Sequence, residues 1–438
     1  MSATKFRRGV VAAAACCVAV ATASTAGAAP APEAVDTVVD GFHRPPASLP
    51  AEPGAVVKTE PIDALAVAPG SDGAWPASAQ QVMFTSRTQD DEPVAVTGTF
   101  VDSTGPWNGP GERPTVVIAP GTTGQADHCA PSAAFANGMY ATTTPEPSFS
   151  VNQEAVSASR WSQLGARVFL TDYIGLGTPG IHTYANRAET GHAVLDAARA
   201  ANDIAGDSDA PVLLWGYSQG GGATAAAAEL APSYAPDVNL KGVWAGAPVA
   251  DLTSVLGQVD GTLIGGVIGY ALNGFVDRNP ELRARVDQIV TPEGRATLDR
   301  LATGCIGDVI LKQPFLNTSD LTVDGRSMLD WLGEIPEAGP VLADQKIGKR
   351  VPTAPVLITN GVNDDTIPYE QSRRLADDWC GQGGDITFDT NDMPAIAPGL
   401  TIPDHFGPQI VDAYAQDKVM PFLLESLSGE HADGCRIG

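Results

Sequence analysis

At 438 residues, 43% of them hydrophobic, the chain is long enough for two average domains or for one large α/β enzyme carrying an insertion. Its 26 Lys and Arg stand against 51 Asp and Glu, a formal charge of −25. That excess excludes nucleic acid and anionic membrane as purely electrostatic partners and suits solubility outside a cell.

The first residues carry Lys5, Arg7 and Arg8, then an apolar stretch over 9–23, then Ala26-Gly27-Ala28. These are the three regions of a secretory signal peptide, so 1–28 is expected to be cleaved near Ala28. As a retained anchor the stretch is short and Ala-rich. Cys16 and Cys17 lie inside it without the leucine-small-small approach of a lipoprotein site. Cleavage takes away three cations and no acid, moving the charge from −25 to −28. It leaves Cys129, Cys305, Cys380 and Cys435, which in an oxidising compartment read as two disulfides with three connectivities open. None of them has the C-x-x-C spacing of a zinc or redox site, and no metal is expected.

Residues 29–76 are rich in Pro and Ala and predict an extended N-terminal arm. Two β-type runs, 82–87 and 94–101, flank Gln89-Asp90-Asp91-Glu92-Pro93 and predict a hairpin. Buried-looking strands follow at 115–119, 166–171, 212–215, 242–245 and 356–359, with a weaker sixth at 386–389. Helix-like segments at 152–164, 190–204, 220–230 and 369–379 separate most of them. Apolar strands alternating with helices predict an α/β class, with a mostly parallel sheet covered on both faces.

The interval 251–350 breaks this rhythm with a Gly-rich apolar stretch at 261–275 and helix-like segments near 280–290, 292–301 and 327–332. An insertion of that size reads as a mainly helical cap over the carboxyl ends of the strands, on a core formed by 77–250 and 351–438. The 261–275 stretch suits ordinary cap core, or the wall of an acyl-chain tunnel or a mobile lid.

Gly216-Tyr217-Ser218-Gln219-Gly220 stands between the run Val212-Leu213-Leu214-Trp215 and a small-residue helical run. A G-x-S-x-G pattern between strand and helix is the setting of a nucleophile elbow, and it makes Ser218 the candidate nucleophile. A serine hydroxyl needs a histidine to take its proton and a carboxylate to hold that histidine's tautomer. Downstream histidines are His405, in a loop before the last helix-like segment, and His431, in a polar tail where solvation is expected. A loop histidine can reach back to the serine, so His405 is favoured. The strand 356–359 leads into Asn363-Asp364-Asp365-Thr366-Ile367-Pro368, where the spacing D-x-x-I-P selects Asp364; Asp365 is the alternative, or a cap for the next helix. The negative oxygen of a tetrahedral intermediate needs fixed amide donors. The expected ones are the amides of Gln219 and of Thr122, with Thr123 second, in the turn Pro120-Gly121-Thr122-Thr123-Gly124.

Together with Asp172-Tyr173-Ile174-Gly175-Leu176-Gly177, these motifs resemble the secretory lipases, the LIP family of α/β-hydrolases with a large helical cap. The resemblance runs from about Trp75 to the C-terminus. Cutinases share Gly-Tyr-Ser-Gln-Gly but are smaller and uncapped. The resemblance implies hydrolysis of carboxylic esters, acylglycerols above all, without metal or organic cofactor; contact with a lipid interface through the cap is a separate expectation. The resemblance also implies pairing Cys129 with Cys305 and Cys380 with Cys435. An acyltransferase acting on envelope lipids or sugars would use the same triad. A catalytically silent binding protein would be expected to lack a triad member, and none is missing.

Overall fold

The computed structural model describes residues 40–63, 77–143 and 147–438. The leader read at 1–28, with Cys16 and Cys17, lies outside them.

The strands in chain order are β1 (Val56–Ile62), β2 (Ala77–Arg87), β3 (Pro93–Ser103), β4 (Thr115–Ala119), β5 (Met139–Thr142), β6 (Ser148–Val151), β7 (Arg167–Thr171), β8 (Val212–Tyr217), β9 (Leu240–Gly246), β10 (Val356–Gly361), β11 (Ile386–Asn391) and β12 (Arg436–Ile437). Among the described residues, ten form one sheet in the order β1-β2-β3-β7-β4-β8-β9-β10-β11-β12, and β5 with β6 forms a separate hairpin. The first four of that order pair antiparallel, and every pairing from β7 through β12 is parallel. The arm expected to be merely extended therefore contributes an edge strand, β1, which pairs from Val56 opposite Phe84 to Ile62 opposite Ala79.

β4, β8 and β10 are buried along their whole length, because helices cover both faces of the parallel region. Side chains alternate across the sheet. Leu213, Trp215 and Tyr217 of β8 enter one core, while Val212 and Leu214 enter the other. In the first core Trp215 meets Trp244 edge-on with ring centroids 4.6 Å apart, and Trp161 at 6.1 Å. The second core packs Ala-rich helices, Arg187–Ala205 and Gln219–Tyr234, onto the sheet. Asn186 caps the first of these by accepting the Glu189 amide, and Gly206 ends it in the left-handed region.

Between β9 and β10 the insertion carries helices Leu252–Val259, Val267–Arg278, Pro280–Ile289, Pro292–Ala302, Ile306–Lys312, Met328–Glu334 and Ala338–Asp344. The 261–275 stretch divides between two uses. Ile264 and Val267 face a cavity above Ser218, and Ile268, Leu272 and Phe275 pack into the core. Cys129 is bonded to Cys305 at the start of helix Ile306–Lys312, and Cys380 to Cys435 beside β12.

Candidate active site

The carboxyl ends of four parallel strands bring the sequence-derived residues to one place. β4 runs into the turn holding Thr122, β8 ends at Ser218, β10 leads to Asp364, and the long connection after β11 carries His405. Ser218 has φ 61° and ψ −121°, a conformation that costs a non-glycine residue of order 1–3 kcal/mol. Its flanking glycines give the clearance. A Cβ on Gly216 would strike the carbonyl of Gly220, and one on Gly220 would strike that of Ala119. The surrounding backbone fixes the turn through Ser218 N to Gly246 O at 2.9 Å and Gly222 N to Ser218 O at 3.0 Å.

Ser218 Oγ lies 2.9 Å from His405 Nε2, and His405 Nδ1 lies 2.8 Å and 3.0 Å from the two carboxylate oxygens of Asp364. Asp364 Oδ1 also accepts the amides of Thr366 and Ile367, both at 2.9 Å, which orients the carboxylate. Tyr217 donates its hydroxyl to the His405 carbonyl at 2.6 Å. All three groups are buried, so the polar line is shielded from bulk water. This arrangement can pass a proton from the serine to the imidazole and stabilise the resulting cation.

Asp365 points elsewhere. Its Oδ2 accepts the amides of Gly399 and Thr401, and Thr366 donates its hydroxyl to Oδ1. It does not cap the helix Tyr369–Gly381, whose first turn follows Pro368 without a side-chain cap. His431, expected in solvent, packs edge-on against Phe422 and sits 3.2 Å from Asp385, with its side chain 5% exposed. The disulfide between Cys380 and Cys435 pulls the polar tail onto the sheet edge, and this overrides its composition.

Gln219 opens the helix Gln219–Tyr234, so its amide belongs to the first turn, where no intrahelical acceptor exists and the helix dipole is positive. Thr122 borders the cavity together with Ser218 and His405, and its hydroxyl is 2.7 Å from that of Tyr184. Thr123, the second choice, does not line the cavity; its carbonyl accepts the Ile306 amide and its side chain is buried. The cavity measures about 190 Å³ and is walled mainly by apolar side chains, among them Val255, Leu256, Val259 and Ile264. An apolar hollow ending at one polar line fits an acyl chain with a single reacting carbonyl.

Sequence reasoning passed over Tyr184, His182 and Glu154. Glu154 is buried beneath the 120–124 turn with the Gly121 amide 3.5 Å from Oε1, and burial pushes its carboxyl up to about 7. The one cluster of His and Cys among the described residues joins His128 to the bonded pair Cys129 and Cys305, whose sulfurs are already engaged.

Comparison with known proteins gives the family. The family model described as secretory lipase matches residues 142–420. A protein of Mycobacterium tuberculosis named as a probable inactive lipase is 30% identical over 319 residues, 68% of each chain. A secreted triacylglycerol lipase of Malassezia globosa is 26% identical over 373 residues, covering 83% of this chain and 77% of that one. Among solved structures, Candida antarctica lipase A in its closed state superposes with a TM-score of 0.75 at 22% identity, covering 92% of this chain and 89% of that one, which shows the shared fold. The chain thus belongs to the secretory lipase family and is a serine ester hydrolase with the α/β-hydrolase fold.

Proposed function

We propose that the chain is a secreted acylglycerol lipase or esterase that works through an acyl-enzyme on Ser218. The supporting observation is the continuous hydrogen-bonded line Ser218–His405–Asp364 at the floor of an apolar cavity. Ser218 Oγ attacks the ester carbonyl carbon as its proton passes to His405 Nε2. The carbonyl oxygen becomes an anion facing the amides of Gln219 and Thr122. Collapse breaks the ester C–O bond, and the imidazolium gives its proton to the departing alcohol. Water then attacks the acyl group with His405 as base, the acid leaves, and the proton returns to Ser218. Asp364 holds the tautomer throughout.

In this reading 1–28 is a leader removed near Ala28, 29–76 is an arm, 77–250 with 351–438 is the catalytic core, and 251–350 is the cap. The lipid side of the substrate meets the loop before His405, where Ile402 lines the cavity and is 56% exposed, and Ile396 and Leu400 are 62% and 41% exposed. A relative named as a probable inactive lipase raises one rival, a hydrolase fold without turnover. Labelling with a phosphonate ester probe separates the two. The proposal expects stoichiometric labelling that Ser218→Ala abolishes, and undiminished labelling of that variant would move the nucleophile elsewhere. Folded protein with neither labelling nor turnover would favour the rival.

A further inference from the structure

The connection between β7 and the helix Arg187–Ala205 sends two side chains, from residues two apart, to the two predicted oxyanion donors. Gln219 donates its side-chain amide to His182 Nε2 at 2.8 Å. On the other side of the ring, His182 Nδ1 faces the Ile174 carbonyl at 3.2 Å, which places the imidazole proton on Nδ1 and leaves Nε2 as the acceptor. The imidazole is fully buried, and burial pushes it down to about 4, so it stays neutral near pH 7. Its face stacks on Tyr173, with centroids 5.5 Å apart and planes 7° from parallel. The Tyr173 hydroxyl in turn donates to the carbonyl of Pro120, the first residue of the turn that holds Thr122. Tyr184 stands edge-on to the same imidazole at 5.9 Å and meets the Thr122 hydroxyl at 2.7 Å.

The segment is gripped from the cap as well. Gln125 donates to the carbonyls of both His182 and Tyr270, at 2.9 Å and 2.8 Å, and accepts from Asn273 at 3.1 Å. Gly274, on the same cap helix, sits so close that a Cβ there would lie 2.7 Å from Thr183 Cα and 3.1 Å from the His182 carbonyl. The segment is thus pinned between core and cap.

We propose that His182 and Tyr184 are positioning residues that set the two halves of the oxyanion site, His182 through the side chain of Gln219 and Tyr184 through the hydroxyl of Thr122. The proposal rests on the reading of Ser218 as nucleophile and of these two amides as its donors. Fixing the Gln219 side chain fixes the rotation of the first helical peptide, and fixing the Thr122 hydroxyl does the same for the turn. An oxyanion donor works within about 2.7–3.1 Å of the developing charge, so a small loosening of either peptide is felt in the chemical step.

The test measures kcat and KM on a soluble short-chain ester, with the affinity of a trifluoromethyl ketone that forms a tetrahedral adduct. Variants are His182→Phe, which keeps a ring for stacking and removes the acceptor, Gln219→Leu, their double variant, and Tyr184→Phe. The expected result is a fall in kcat of about tenfold for each single variant, less than the ~10²–10³ lost with a donor itself. KM should stay within about twofold, and the ketone affinity should fall in step with kcat. His182→Phe with Gln219→Leu should be no worse than His182→Phe alone, because both remove the Gln219–His182 bond and His182→Phe already gives up the Ile174 contact as well. A merely structural lesion would lower the titratable active-site fraction instead of kcat per labelled site. Unchanged kcat in Tyr184→Phe and Gln219→Leu, or losses that multiply in the double variant, would overturn the proposal. Absence of phosphonate labelling at Ser218 in the unsubstituted chain would sink the triad reading and the positioning role together, which is a separate outcome.

Discussion

Asp365 Oδ2 lies 2.9 Å from the amide nitrogen of Thr401, and the Thr401 carbonyl accepts the amide of His405 at 2.8 Å. Thr401 has φ 59°, an outlying conformation for a β-branched residue, and the carboxylate bonds hold it there. Two adjacent aspartates therefore reach the same histidine by different routes, Asp364 through its ring and Asp365 through its backbone. Asp364→Asn should lower kcat by roughly 10⁴ while leaving the thermal midpoint close to that of the parent. Asp365→Asn should cost about 1–3 kcal/mol of stability and far less activity. Steady-state rates beside thermal melts check this, and the opposite ranking would make Asp365 the triad acid.

Glu154 supplies a pH-dependent stability term with a defined sign. Its carboxyl, ordinarily near 4.5, is pushed up to about 7 by burial, against weak support from Gly121, Gln153 and Ser157. Between these values the folded chain binds a proton that the unfolded chain has released, so stability falls as pH rises from 4.5 to 7, by about 3 kcal/mol in all. Tyr173 and Tyr414, the tyrosines that feel its charge, are both pushed above 10 and do not titrate in that window. Glu154→Gln cannot ionise. The stability difference between variant and parent, from denaturant melts at a series of pH values, should grow in favour of glutamine across 4.5–7 and level off above. A flat difference would mean that Glu154 is solvated or otherwise paired.

The parallel strands were legible because strands buried on both faces read as unbroken apolar runs, as in Val212-Leu213-Leu214-Trp215. The Ser218 elbow was legible for a related reason, since strand, turn and helix are contiguous and each has its own local pattern. The β5–β6 hairpin carries no comparable signal, being short and set by what packs on it, whereas the helix Leu252–Val259 has one that the sequence reading passed over, an Asp251 cap before apolar residues at 252, 255, 256 and 259. His182 meets Gln219 across 37 positions and Tyr184 meets Thr122 across 62, so neither contact leaves a periodic trace. His431 was misread because Glu430 and Asp433 suggest solvent, while a covalent bond from Cys435 decides where the tail lies.

The cavity walls offer control over acyl length. Val255 and Ile264 line the space above Ser218 without entering the hydrogen-bonded line. Each buried methylene of an acyl chain contributes about 0.8 kcal/mol, so losing room for four would cost about 3 kcal/mol, on the order of a hundredfold in kcat/KM. Val255→Trp should therefore depress kcat/KM for a long-chain ester by that order and leave an acetyl ester within about twofold. Initial rates along an acyl series check it. Equal losses at every length would place the acyl chain outside this cavity.

The loop that delivers His405 also presents the exposed Ile396 and Leu400, neither of which lines the cavity. Contact with a lipid surface would bury them at about 1.5–3 kcal/mol each, whereas a soluble monomeric ester gains nothing from them. Ile396→Asp and Leu400→Asp should thus lower the rate on emulsified triacylglycerol by about tenfold or more and leave the rate on the soluble ester within about twofold. The chain's charge of −25 adds a second condition. Anionic lipid mixed into the emulsion should weaken adsorption by like-charge repulsion, more so at low salt. Adsorption that strengthened with anionic lipid would point to a local basic patch as the contact surface, in place of this apolar loop.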